Sequence, residues 1–210
     1  MGNMTEIRKI RPEDAEIAAL LHMEGQPGTF LTTLGKDFLA ALYAELGDSP
    51  WGLAFVATQD RDGEVIGVIA GSTDTHALFK DLIWKRGLHL AIPVLRRLLS
   101  QPSLAIKVLQ TLFYPNKLHA KPGDAEFLFI GVSGKARRQG IGTRMLEVLI
   151  QACREQGATG LLSTVDVTNP RANPFHVKWG FKIIDSLLLY GRKMNLYYLP
   201  LEQDNKANEG

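Results

Sequence analysis

Seven consecutive residues, Arg137-Arg138-Gln139-Gly140-Ile141-Gly142-Thr143, carry the makings of an anion site. They follow an apolar run at 125–132 and open an amphipathic stretch at 140–156. A strand turning into a helix here leaves the first N–H groups without intrahelical acceptors, at the positive end of the macrodipole. Glycines let a phosphate or pyrophosphate come close to that backbone. Arg137 and Arg138 add fixed positive charge, and the Thr143 hydroxyl adds a donor. The alternative is a glycine-rich turn that holds no ligand.

Two familiar phosphate loops do not fit. A Walker loop needs Gly-Lys-Ser/Thr, and Gln139 stands five residues after Gly134 with no such sequence following. A dinucleotide fingerprint needs a third glycine where Met145 stands. The remaining pattern, Arg/Gln-x-x-Gly-x-Gly, resembles the acetyl-CoA pyrophosphate loop of the GNAT acetyltransferase superfamily. Downstream, Asn169, Ala172, Phe175, Gly180 and Phe181 fall at the spacing of that superfamily's second signature. His176 occupies the position where the family usually has tyrosine. The opening Ile10-Arg11-Pro12-Glu13-Asp14 is also similar to many such domains. The resemblance covers most of the chain except residues 75–122.

The resemblance implies an α/β fold with a mixed, splayed seven-stranded sheet flanked by helices, and acetyl-CoA as co-substrate. Pantetheine would pair with the backbone of Ile130, Gly131 and Val132, where Gly131 fits a β-bulge. An N–H near Ile130 would face the thioester oxygen. The pyrophosphate would lie on Arg137, Arg138, Gln139, Gly140, Ile141, Gly142 and Thr143. Asn169 would hydrogen-bond the pantetheine arm, or else form an Asx turn opening the short helix. Glu126 matches the glutamate base of histone-type members, with a charge at the strand mouth that only greets solvent as the alternative. His176 would protonate the leaving thiolate, or else be a helix histidine packed beside Trp179.

Periodicity supplies the elements that would position these groups. Strands are predicted at 6–11, 53–58, 64–73, 125–132, 161–166, 181–189 and 194–199, and helices after Asp14, at 36–46, at 140–156 and at 173–179. Asp60-Arg61-Asp62-Gly63 has hairpin-turn chemistry. Residues 75–122 form a helical insertion before the fourth strand, read as two or three short helices punctuated by Pro93, Pro102 and Pro115. One domain over residues 1–202 is expected, with a polar tail at 203–210.

Composition narrows the function classes. The chain has 210 residues, 45% hydrophobic and 22% charged, as a folded protein has. A single cysteine, Cys153, rules out an intrachain disulfide and reads as a core residue; no metal site is expected. The tryptophans Trp51, Trp84 and Trp179 are read as packing or groove residues and not as stacking platforms for bases. Net charge is +2, too mild to signal nucleic acid. That total hides a segment: residues 75–122 hold eight Lys and Arg against Asp81 alone, a balance of +7. Lys85, Arg86, Arg96 and Arg97 could flank an acceptor entrance. No apolar run spans a membrane and no leader is recognised, so a cytoplasmic location is expected.

The leading reading is an N-acetyltransferase acting on a primary amine, of a small molecule or of a protein, with a homodimer compatible. The other is a catalytically silent acyl-CoA-binding module whose insertion docks a partner or an anionic surface. Acceptor specificity is assigned to the first two helices, the insertion and the last hairpin.

Overall fold

The computed structural model describes residues 5–59, 63–118 and 120–201. The expected turn at 60–62 and the tail from 203 lie outside the described residues. Strand β1 (Thr5–Lys9) ends at a 3₁₀ turn that Pro12 starts. Asp14 closes this turn: its carboxylate accepts the Arg11 N–H at 2.8 Å and pairs with Arg8 at 2.6 Å. Helices α1 (Ala15–Gly25), α2 (Phe30–Thr33) and α3 (Lys36–Asp48) follow, then strands β2 (Gly52–Gln59) and β3 (Val65–Ser72). The single turn α2 was not predicted; its four residues are too few for a helical period to show.

The insertion forms α4 (Thr75–Trp84), α5 (Gly87–Ser100) and α6 (Ala105–Leu112). Asp74 caps α4 by accepting the Ala77 N–H at 2.9 Å. Pro102 and Pro115 each open a 3₁₀ turn, as their fixed φ favours. Pro93 does not break α5; the helix runs through it because Leu90, Val94 and Leu98 keep one face packed on the domain. The second half of the chain is β4 (Asp124–Val132), α7 (Ile141–Glu155), β5 (Gly160–Asp166), α8 (Ala172–Lys178), β6 (Lys182–Leu189) and β7 (Arg192–Pro200).

The strands make one sheet in the order β1-β2-β3-β4-β5-β7-β6, antiparallel except for β4 against β5. On one face Met145, Leu146 and Leu149 of α7 pack on Ala57, Ile69, Phe127 and Leu161. Each such buried side chain contributes roughly 1.5–3 kcal/mol. The other face takes Ala18 and Leu21 of α1 and Tyr43 and Leu46 of α3 against Val56, Val68 and Phe129. Cys153 is fully buried on α7, and burial pushes its thiol up to about 12.

The β4–β5 pair determines where a site can form. It holds only from Asp124↔Gly160 to Glu126↔Leu162, after which the strands part. A β-bulge follows at once: Ala70 pairs with Phe129 but Gly71 with Phe127, so Leu128 is the extra residue. The bulge therefore sits at Leu128 and not at Gly131, which pairs regularly with Val68. Gly131 is needed for another reason. A Cβ there would lie 2.8 Å from the Phe129 ring and 3.1 Å from the Leu21 carbonyl, where α1 crosses the strand.

Candidate active site

Past Glu126, the edge of β4 facing β5 has no strand partner, and Ile130, Gly131 and Val132 lie on it. The strand runs into a loop anchored by the Ser133 N–H on the Ile66 carbonyl at 2.8 Å. Gly140 then adopts φ +76°, a left-handed conformation favouring glycine, and caps α7. The main-chain N–H groups from Arg138 to Thr143 have no acceptor among the described residues. That run of donors at the start of a 15-residue helix suits a pyrophosphate.

The loop side chains divide. Arg137 does not point its charge outward: its Nε donates to the Val132 carbonyl at 2.9 Å and its guanidinium pairs with Glu24 at 2.6 Å, clamping α1 to the end of β4. Arg138 and Gln139 are exposed, Arg138 with φ +65°. A Cβ on Gly142 would meet Ile130 and Val132 at ordinary contact distances, whereas one on Gly140 would meet nothing and project into the open loop. What favours glycine at 140 is therefore its positive φ and not a steric neighbour.

Glu126 lies where β4 and β5 part and is 2% exposed. Thr75 donates its hydroxyl to Oε2 at 2.7 Å, and the Tyr114 phenol donates to Oε1. Since Tyr114 has one proton to give, Thr164 of β5 is the donor in their 2.8 Å contact. A chain Thr164–Tyr114–Glu126–Thr75 results, spanning the gap between the strands. Burial pushes the Glu126 carboxyl up to about 7, although both hydroxyls favour its ionised form. Burial holds the Tyr114 phenol well above its ordinary value, so it stays a neutral donor. Thr75 and Tyr114 come from the two ends of the insertion, and sequence reasoning missed both.

His176 lies inside the core. It is buried among Phe127, Phe175, Phe181 and Tyr197, with Nδ1 on the Ala172 carbonyl at 2.8 Å and Nε2 on Ser163 Oγ at 3.0 Å. A carbonyl only accepts, so Nδ1 carries the proton; the single Ser163 hydroxyl proton lies between Nε2 and the Phe127 carbonyl, which is 3.1 Å from the same oxygen. Burial lowers the His176 pKa and keeps the ring neutral. Both nitrogens have partners in the core, as in the packed helix histidine that was the alternative to a thiolate acid. Asn169 makes the Asx turn, its Oδ1 accepting the Arg171 and Ala172 N–H groups at 3.0 and 2.9 Å; its Nδ2 has no partner among the described residues. Asn173, not singled out from sequence, ties the end of β5 to β7 through the Asp166 carbonyl, Asn195 and Tyr197.

The segments assigned to the acceptor do meet. Tyr190, at the tip of the last hairpin, packs on Phe30 of α2 at 4.8 Å and shares a 2.7 Å hydrogen bond with Thr111 of α6. The cations expected at the entrance are largely committed elsewhere. Arg86 pairs with Glu45 at 2.6 Å and Asp81 at 3.3 Å, Lys85 with Asp81 at 3.2 Å, and Arg97 bonds the Thr33 carbonyl. A surface hollow of about 450 Å³ lies elsewhere, between α7 and β7, and none of these groups lines it.

A splayed mixed sheet with an anion loop at the end of one parting strand and a buried carboxyl in the crotch defines a class of acyltransferases. Residues 24–181 match the acetyltransferase (GNAT) family, and the chain belongs to that family, whose members use acetyl-CoA. It is an acyltransferase enzyme. Solved structures agree on the fold. Ard1 from Thermoplasma volcanium superposes with a TM-score of 0.61 at 18% identity, over 94% of this chain and 98% of that one. The ribosomal-protein-S18-alanine N-acetyltransferase from Escherichia coli gives 0.59 at 14% identity, over 99% and 100%. An N-acetyltransferase from Staphylococcus aureus Mu50 gives 0.60 at 18%, over 95% and 99%. No curated protein matches by sequence.

Proposed function

We propose that this enzyme transfers an acetyl group from acetyl-CoA to a primary amine by direct attack on the thioester, with Glu126 as the general base. The observation that carries the reading is the buried Glu126 carboxyl at the strand gap, held by Thr75 and Tyr114. A base must be ionised yet willing to accept a proton, and a pKa of about 7 meets both needs near neutral pH. Because Glu126 is almost sealed, the amine's proton reaches it through a hydroxyl or one water. Tyr114 and Thr75 are the hydroxyls in place.

On this reading the pyrophosphate lies on the N–H groups from Arg138 to Thr143, with Gly140 keeping the approach open. Pantetheine runs along the free edge at Ile130, Gly131 and Val132, and the Asn169 amide reaches its arm. A main-chain N–H of that edge near Ile130 stabilises charge developing on the thioester oxygen. The leaving thiol has the acidity of a cysteine, with a pKa of ~8.5, so it departs as thiolate without a dedicated acid. Phe30, Thr111 and Tyr190 form a wall of the acceptor chamber.

A thiol-release assay over a panel of primary amines tests this. Glu126→Gln should keep acetyl-CoA affinity and lower kcat by ~10²–10⁴. Acetyl-CoA binding without turnover on any amine would favour the silent module instead.

A further inference from the structure

The helices of the insertion are apolar on two sides, and the domain uses only one. On α5, Leu90, Val94 and Leu98 pack inward on the cluster built by Leu34, Phe38 and Leu39. On its other side Leu88, Ile92, Leu95 and Leu99 recur at steps of four, three and four, which makes one stripe along the helix. That stripe faces solvent, with Leu88 75% and Leu99 86% exposed. Helix α6 repeats the pattern: Val108 packs inward while Ile106 and Leu109 face out. Both helices seat on the same buried cluster through Leu90, Val94, Leu98 and Val108, and each leaves its other side to solvent. Trp84 is 84% exposed at the end of α4. Among the described residues, ten of the eighteen exposed large apolar side chains fall within residues 83–113, a concentration beyond ordinary scatter.

The charge around this patch has one sign. From 87 to 118 the sequence contains Arg96, Arg97, Lys107 and Lys117 and no Asp or Glu. None of the four pairs with a carboxylate among the described residues; Arg97 and Lys117 donate to the carbonyls of Thr33 and Leu188. Asp81, the one acid of the insertion, is already held by Ser49, Lys85 and Arg86.

These features select the occupant. A second copy joined by a twofold axis would set these cations against themselves, and neither α5 nor α6 carries an Asp or Glu to meet them; Glu45 of α3, which reaches His89, is already paired with Arg86. No helix among the described residues is long and apolar enough to cross a membrane. An anionic lipid surface answers both the stripe and the charge: apolar side chains enter the acyl boundary, cations stay at phosphate level and tryptophan sits between. We infer that the outward face of α5 and α6 docks on the surface of an anionic phospholipid bilayer. The inference rests on exposed side chains alone and stands whether or not Glu126 is the base.

Flotation of the full chain with vesicles is the test, using phosphatidylcholine alone or with phosphatidylglycerol added. Binding is expected only to the anionic vesicles and should weaken with salt, accompanied by a blue shift in tryptophan emission that Trp84→Phe removes. Leu95→Glu with Leu99→Glu should reduce binding at least tenfold, and Arg96→Gln about fivefold. Both variants should keep the wild-type melting temperature and acetyl-CoA affinity, because these side chains support neither. Failure to float with anionic vesicles, equal binding to neutral ones, or binding untouched by the double substitution would overturn the inference. So would a dimer in light scattering that the double substitution converts to monomer.

Discussion

Replacing Glu126 by glutamine should change how stability depends on pH. In the folded chain the carboxyl titrates near 7, against an ordinary 4.5. Between these values the folded protein holds a proton that the unfolded chain has lost, so stability falls as pH rises across the window. The full cost of ionising this group in the fold is about 3 kcal/mol, reached near pH 8. Glutamine does not titrate, so the variant's stability relative to wild type should climb by about that amount from pH 4.5 to 8. The difference matters because other groups mask it. Burial pushes His22 down to about 4 and lowers His176, so both lose stability as pH falls below their ordinary 6.5. Those residues are present in both proteins and cancel. Urea unfolding at several pH values is the assay; with m of about 2 kcal/mol/M, the midpoint difference should grow by about 1.5 M. A flat difference between pH 5 and 8 would mean that Glu126 ionises normally, and the argument from desolvation would fail.

Gly140→Val should weaken acetyl-CoA binding at least tenfold in calorimetry and cost ~1–2 kcal/mol of stability, since φ is +76° there; Gly142→Ala should do neither. Tyr114→Phe removes one donor from the Glu126 carboxylate, so the acidic limb of the rate profile should move up by about one pH unit while acetyl-CoA affinity is unchanged. His176→Ala should destabilise by ~3 kcal/mol in thermal unfolding, leaving a cavity among Phe127, Phe181 and Tyr197 and removing the ring's hydrogen bonds to Ser163 and the Ala172 carbonyl. Well below the melting temperature its pH–rate profile should match wild type; a lost basic limb would restore His176 as the acid.

What could be read from sequence was what short-range spacing encodes. The Arg137–Thr143 loop, the apolar strand before it and the amphipathic helix after it are contiguous, so composition and period sufficed. Glu126 was found by its place on that strand. Its partners were not, because Thr75 lies 51 residues away and Tyr114 reaches it only once α4 and the turn at Pro115 have packed. The bulge was expected at a glycine, yet it falls at Leu128, whose type carries no bulge signal. A count of cations suggested an entrance lined with charge; pairing with Glu45 and Asp81, which folding alone brings near, commits Arg86 and Lys85 instead. For His176 the sequence left two readings, thiolate acid and packed helix residue, because its neighbours Phe127 and Tyr197 come from strands distant in sequence.

Glu126 is proposed to accept the acceptor's proton. The most direct test is the pH dependence of kcat/KM for one accepted amine, measured for wild type and Glu126→Gln. Wild type should show an acidic limb with an apparent pKa near 7, and the variant should lose that limb along with most of its rate. A variant that keeps both the limb and the rate would contradict the assignment.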